Sequence, residues 1–264
     1  MLERSDGDGT IVISQPAHAW VSRQLALAWG NDLVGDFSPR TEVMEAAGQH
    51  DLSWLAWETL PKLDPRTGRP YTFRSMPTMM HLGVWRDAGR LALAYGRYTA
   101  LLVSMHGSGL YERFHDFEAD SPGEAAAARA YVDAARKFEA ELLEELQRDP
   151  CYENDAAAEN VERNRKLVAL WDGMSLAICG GFAGSRRFDG APAARSEVVL
   201  TLVQSELEAA LIHVEPWPFR ADKVEIVCEG RRLNGTFADE ESMRAALAGA
   251  EWVPLRIALR PLEA

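Results

Sequence analysis

At 264 residues, 47% of them hydrophobic, the chain is long enough to bury one sizeable core with or without an appendage. Forty acidic against 28 basic residues leave a net charge of −12, which repels a phosphate backbone and argues against a nucleic-acid polymer as partner. No segment has the roughly 18 apolar residues of a membrane span, MLERSDGDGTIVIS does not read as a signal peptide, and Cys151, Cys179 and Cys228 lack CxxC spacing; a cytoplasmic protein with reduced thiols is expected.

Thr10 to Ser14 reads as a short strand, and Ser14-Gln15-Pro16 then looks like a helix start, with Ser14 as cap and Pro16 in the first turn. From there to about Gly181 the apolar periodicity is helical, with helices expected near 16–29, 39–57, 77–95, 97–111, 122–148 and 155–179. The segment 60–73, with Pro61, Pro65, Gly68 and Pro70, reads as a loop. The Ala-, Glu- and Arg-rich stretch 120–148 reads as a solvated helix covering the core. After 180–195 the pattern changes. SEVVLTLV, AALIHVEPWPF, KVEIVCEGRRL and WVPLRIALRPL are rich in β-branched residues and partly alternate, as strands do, with a short helix at Asp239 to Ala250. The expected architecture is mainly α: a helical bundle over residues 1–185, with a small antiparallel sheet in 186–264 that the N-terminal strand could join.

Four of the six histidines continue apolar helical stripes. His18 runs with Val21, Leu25 and Trp29; His50 with Val43, Ala47 and Trp54; His81 with Met80, Val84, Trp85 and Ala88; His106 with Tyr98, Leu102 and Met105. Two aspartates do the same, Asp51 with Met44, Ala47 and Leu55, and Asp172 with Val168, Ser175 and Cys179. A lone inward histidine is most often a hydrogen-bonded core residue. Six inward nitrogen and oxygen donors, with no lysine or arginine on the same stripes, are harder to explain so. A buried carboxylate must be paired or metal-bound, and one or two cations would neutralise the whole set. His115 and His213 show no companions.

The order His18, then adjacent His50-Asp51, then Asp172 resembles the H…HD…D signature of the HD-domain metal-dependent phosphohydrolase superfamily. With His81 and His106 between, it is similar to the two-metal branch, which includes HD-GYP phosphodiesterases, cyclic-nucleotide phosphodiesterases and myo-inositol oxygenase. That resemblance implies an HD-like helical bundle with two divalent ions, iron or manganese ahead of zinc. His18, His50, Asp51 and Asp172 would hold one ion, His81 and His106 the other, and Asp51 would bridge them and serve catalysis. Departures exist: His50-Asp51-Leu52-Ser53-Trp54 lacks the lysine of HDxGK, and Met105-His106-Gly107-Ser108-Gly109 replaces a paired histidine motif, so cyclic-di-nucleotide hydrolysis is poorly supported. The stretches ISQPAHAWVSRQLALAWGN, HDLSWLAWETLPKLDPRTGRPYTF, LLVSMHGSGLY and LWDGMSLAICGG also resemble, over essentially the whole chain, an uncharacterised bacterial domain-of-unknown-function family.

The expected activity is hydrolysis of a small phosphorylated molecule or nucleotide, with activated water attacking phosphorus in line. Such a substrate needs cations for its free oxygens, and Lys62 and Arg69 are the cations expected to serve catalysis, with Arg66 in the same loop and Arg97 and Arg113 flanking the His106 helix. Gly107-Ser108-Gly109 either admits a substrate to the metal or relieves helix crowding. Two alternatives stand beside this: a di-iron oxygenase of a polyol or phosphonate, and a non-catalytic metal-bound sensor or scaffold.

Overall fold

The first residues form a hairpin. Strands β1 (Leu2–Asp6) and β2 (Gly9–Ile13) pair antiparallel, with Leu2 opposite Ile13 and Asp6 opposite Gly9. The structure, a computed structural model, describes residues 1–7 and 9–262. Ser14 then caps α1 (Gln15–Ala28), its hydroxyl accepting from Ala17 N at 3.2 Å, and Pro16 sits in the first turn, where its missing N–H is harmless.

The next two expected helices are each broken. The 39–57 stretch becomes α2 (Arg40–Gln49) and α3 (Trp54–Thr59) with a turn at 50–53. The 77–95 stretch becomes α4 (Thr78–Trp85), α5 (Ala88–Ala92) and a 3-10 turn. Between α3 and α4 the Pro-rich segment holds a two-residue ladder, β3 (Leu63–Asp64) with β4 (Arg69–Pro70). Three long helices follow: α6 (Arg97–Phe114), α7 (Pro122–Gln147) and α8 (Ala158–Gly180). Ser121 and Glu124 close a reciprocal capping box on α7, which fixes its start.

The C-terminal third supplies β5 (Ser185–Pro192), β6 (Glu197–Gln204), β7 (Leu211–Glu215), β8 (Val224–Arg232), α9 (Glu240–Gly249) and β9 (Trp252–Pro261). The sheet order is β1-β2-β8-β9-β7-β6-β5, and β7 runs parallel to β9. This corrects the expectation of a mainly α bundle with a small antiparallel sheet. Strands make up about 21% of the chain against about 47% helix, in a seven-stranded mixed sheet curled into a half-barrel. The alternation of β8, with Val224, Ile226 and Cys228 turned inward, identifies a strand with one buried face but carries neither partner nor direction.

Among the described residues β2 pairs with β8 at Ile11–Arg232 and Val12–Arg231, so the rest of that β8 edge is left without a strand. Gln24 of α1 closes it, donating to Val227 O at 2.8 Å and accepting from Val227 N at 3.0 Å. α1 is thereby pinned to the sheet on one side while packing on α2 and α8 on the other. One buried cluster runs through Ile11, Leu25, Trp171, Ile226 and Leu259, residues on both sides of position 185. Within it Trp171 of α8 meets Trp29 and Phe37 edge-on, at 5.7 and 5.2 Å between ring centres. Among the described residues no helix is long and apolar enough to cross a membrane, and all three cysteines are free.

Candidate metal centre

The five donors come from four elements. α1 presents His18, the α2–α3 turn His50 and Asp51, α6 His106, and α8 Asp172, and all five are buried. Two overlapping groups could hold a metal ion: His18, His50 and Asp51, and His50, His106 and Asp172, the ligand atoms within each lying within 4.8 Å of one another. Three atoms about 2.1 Å from a common ion lie roughly 3–4 Å apart, so the donors would draw together around an ion.

The break after α2 is what aims His50. Its Nδ1–H donates to Ala47 O at 2.8 Å, at the frayed end of the helix. Its Nε2 therefore points inward, 3.4 Å from Asp172 Oδ1 and 3.7 Å from Asp51 Oδ2, buried and without a hydrogen-bond partner. A backbone carbonyl holding the far nitrogen is how metal-ligating imidazoles are oriented. His18 is held similarly: Nδ1 lies 2.8 Å from Ser175 Oγ, whose own proton goes to Asp172 O, and Nε2 lies 2.7 Å from Asp51 Oδ2. The 2.7 Å gap between His18 Nε2 and Asp51 Oδ2 is a hydrogen bond when Nε2 carries the proton, and the same two atoms are free to face an ion when the proton sits on Nδ1. His106 packs against His50, 4.7 Å between ring centres, with Nε2 3.9 Å from Asp172 Oδ2 and Nδ1 buried and unpartnered.

The electrostatics agree. Burial disfavours the His50 cation, but the charges of Asp51 and of Asp172 close beside it outweigh that and raise its pKa to about 9. Burial, reinforced by the His50 charge, pushes His106 down to about 4. Burial opposes ionisation of Asp51 and Asp172 too, yet the surrounding imidazoles hold both below the ordinary carboxylate range. The metal-free cluster thus carries a proton on His50 that an ion must displace. Calorimetry in buffers of different ionisation enthalpy should detect about one proton released per ion bound near pH 7.5, and apparent affinity should rise about tenfold per pH unit until His50 deprotonates near 9. Binding with no proton release would contradict this charge state.

Four of the five donors, His18, Asp51, His106 and Asp172, line the floor of a cavity of about 1150 Å³, with His50 buried behind them. His81 lines its wall but belongs to neither donor group, and both its nitrogens are engaged: Nε2 accepts from Trp85 Nε1 at 3.1 Å and Nδ1 lies 2.6 Å from Tyr111 Oη. Lys62 and Arg69 do not reach the cavity. Lys62 is exposed, and Arg69 is held by Glu3 at 2.7 Å and by the carbonyls of Gly235 and Leu233, because the β3–β4 ladder turns this segment toward the N-terminal hairpin. The basic residues at the cavity are instead Arg74, Arg113, Arg165, Lys166 and Arg187. His115 does have a companion, Asp120 Oδ2 at 2.7 Å. Gly107 relieves crowding: a Cβ there would lie 2.5 Å from Tyr131 Oη and 2.7 Å from the Trp85 ring.

A family model described as "Protein of unknown function (DUF3891)" matches residues 1–235. The chain belongs to the DUF3891 family. No curated protein and no solved structure matches it. The DUF3891 match spans all five donors and the cavity-facing arginines, and ends before α9 and β9. It carries no HD-domain label; that likeness rests on the donor order alone.

Proposed function

We propose that this protein is a cytoplasmic, metal-dependent phosphohydrolase acting on a small phosphorylated molecule, with His18, His50, Asp51, His106 and Asp172 as the metal ligands. One observation carries the reading. A chain of net charge −12 gathers five basic side chains around a single cavity whose floor is a cluster of imidazoles and carboxylates. Cations above a metal-type donor set favour an anionic ligand that is both bound and polarised.

The donor set has no thiolate, and its nitrogen and oxygen atoms suit iron or manganese ahead of softer ions. What a bound divalent ion supplies is Lewis-acid polarisation of a phosphoryl oxygen and a water acidic enough to react at neutral pH. The protein's own residues do the rest. Ala47 O and Ser175 Oγ fix the two imidazoles, Arg74 neutralises phosphoryl oxygens, and Trp54, Trp85 and Leu110 keep the floor dry. Five donors suffice for one ion; a second, as in a two-metal centre, needs His81 to leave Trp85.

The test is elemental analysis of protein purified without chelator, followed by phosphate release from a panel of phosphoesters. About one ion per chain, or about two if His81 is released, with chelator-sensitive phosphate release, is the expected result. Metal near zero, or loaded protein that releases no phosphate, would defeat the reading. Oxygen uptake without phosphate release would put an oxygenase in its place.

A further inference from the structure

Two of the cavity's arginines stand in a fixed relation to the donors. Arg113 follows His106 by seven residues on α6 (106 to 113), and Arg165 precedes Asp172 by seven on α8 (165 to 172). Seven residues are close to two full turns, so each arginine shares a helix face with a donor, roughly 10 Å along the axis. Both line the same cavity as the donors.

Arg113 is set up as a free cation. Helical side chains lean toward the N-terminus, and its guanidinium folds back over Gly109, where a Cβ would come within 3.1 Å of Nη2. The glycine is thus the berth that lets this charge reach toward the His106 turn. Among the described residues it has no carboxylate ion-pair partner, whereas Arg165 is held by Glu162 at 2.6 and 2.8 Å, Lys166 by Glu197 at 2.7 Å and Arg187 by Asp189 at 2.8 Å. Burial and the nearby Arg165 charge disfavour the Arg113 cation, and the more distant charges of Glu112, Glu162 and Asp172 offset them only in part. Phosphoryl oxygens over the floor need not occupy such a charge, since it sits one to two turns away.

We propose that Arg113, with Arg165 behind it, holds a second anionic group of the substrate, so that the ligand class is a molecule carrying a phosphate ester over the His/Asp donors and a phosphate or carboxylate farther along the cavity. The position of the first group rests on the function proposed above; the second does not. The cavity volume suits a ligand of that reach.

Calorimetric titration with fructose 6-phosphate, fructose 1,6-bisphosphate and 6-phosphogluconate tests this on the manganese-loaded and the metal-free protein, wild type against Arg113→Ala. Arg113 is exposed, so the variant should melt with the wild type. In loaded wild type at least one two-anion probe should bind about tenfold tighter than the monophosphate, as one charge-assisted guanidinium contact provides, and which probe it is tells phosphate from carboxylate. Arg113→Ala should bring the ratio to within about threefold, and Arg113→Lys, without the planar fork, should fall between. Equal affinities in wild type, or a ratio unchanged in Arg113→Ala, would overturn the proposal. If the protein takes up no metal, the function above fails, and the metal-free arm still decides: bisphosphate binding that Arg113→Ala weakens supports the clamp, and identical binding removes it.

Discussion

Asp51→Ala should leave the protein with less than about 0.1 metal ion per chain and cancel its response to chelator. Asp51 Oδ2 is 2.7 Å from His18 and 3.7 Å from His50, so its removal takes away the charge that both imidazoles face. No neighbour can substitute, because Asp172 is already shared between His50 and His106. An ion present at 100 to 1,000 times its dissociation constant stabilises the native state by about 3–4 kcal/mol, which is roughly 6–16 °C in melting temperature for a chain of this size. Chelator should lower the wild-type midpoint by that amount and leave Asp51→Ala unmoved. His50→Ala should behave alike, since its Nε2 belongs to both donor groups. Wild-type metal content in either variant would remove the metal assignment and the hydrolase reading with it.

The donors were legible in the sequence for a physical reason. A polar residue that continues an apolar helical stripe has to be buried, and burial without a countercharge is unfavourable. His18, His50, Asp51, His106 and Asp172 all followed from that argument. Periodicity gives the face, though, and not the partner. His81 lies on its stripe as expected, but Trp85, four residues on along the same stripe, takes its Nε2. The helix breaks at 50–53 and 86–87 carry no proline or glycine, so the apolar pattern ran straight through them.

The sheet was harder to read. β1 (LERSD) has one apolar residue and β5 (SRRFDGAP) is mostly polar, so neither shows the period-two signal of a half-buried strand. The parallel pairing of β7 with β9 across β8 and α9 is a tertiary fact that local alternation does not encode. The basic residues around the cavity were less legible. Lys62 and Arg69 were chosen for nearness in sequence to His50-Asp51, whereas spacing by seven from His106 and Asp172 marks Arg113 and Arg165.

Glu139→Ala should destabilise the protein by about 2–4 kcal/mol and leave its metal content at the wild-type level. Glu139 is a buried carboxylate on α7, in the helix read as a solvated cover, and it differs from Asp51 and Asp172 in how its charge is met. Oε1 accepts from Ser104 Oγ at 3.0 Å and Ser108 Oγ at 2.8 Å, and Oε2 accepts from Arg136 Nη1 at 2.7 Å. Three donors, one of them a cation, satisfy it, so no metal is called for. Alanine would strand two hydroxyls on α6, on either side of His106, and remove one of the two carboxylates of Arg136; the other, Glu112, remains. The cost of unpaired buried groups then sets the magnitude, a fall of roughly 4–16 °C in melting temperature. Glu139→Gln keeps an acceptor for the serines and should lose about a third as much. The pair of variants separates the two kinds of buried carboxylate in this fold. A drop in bound metal in Glu139→Gln would mean that the serine–glutamate contact positions His106 for its ion, and that the two sites are not independent.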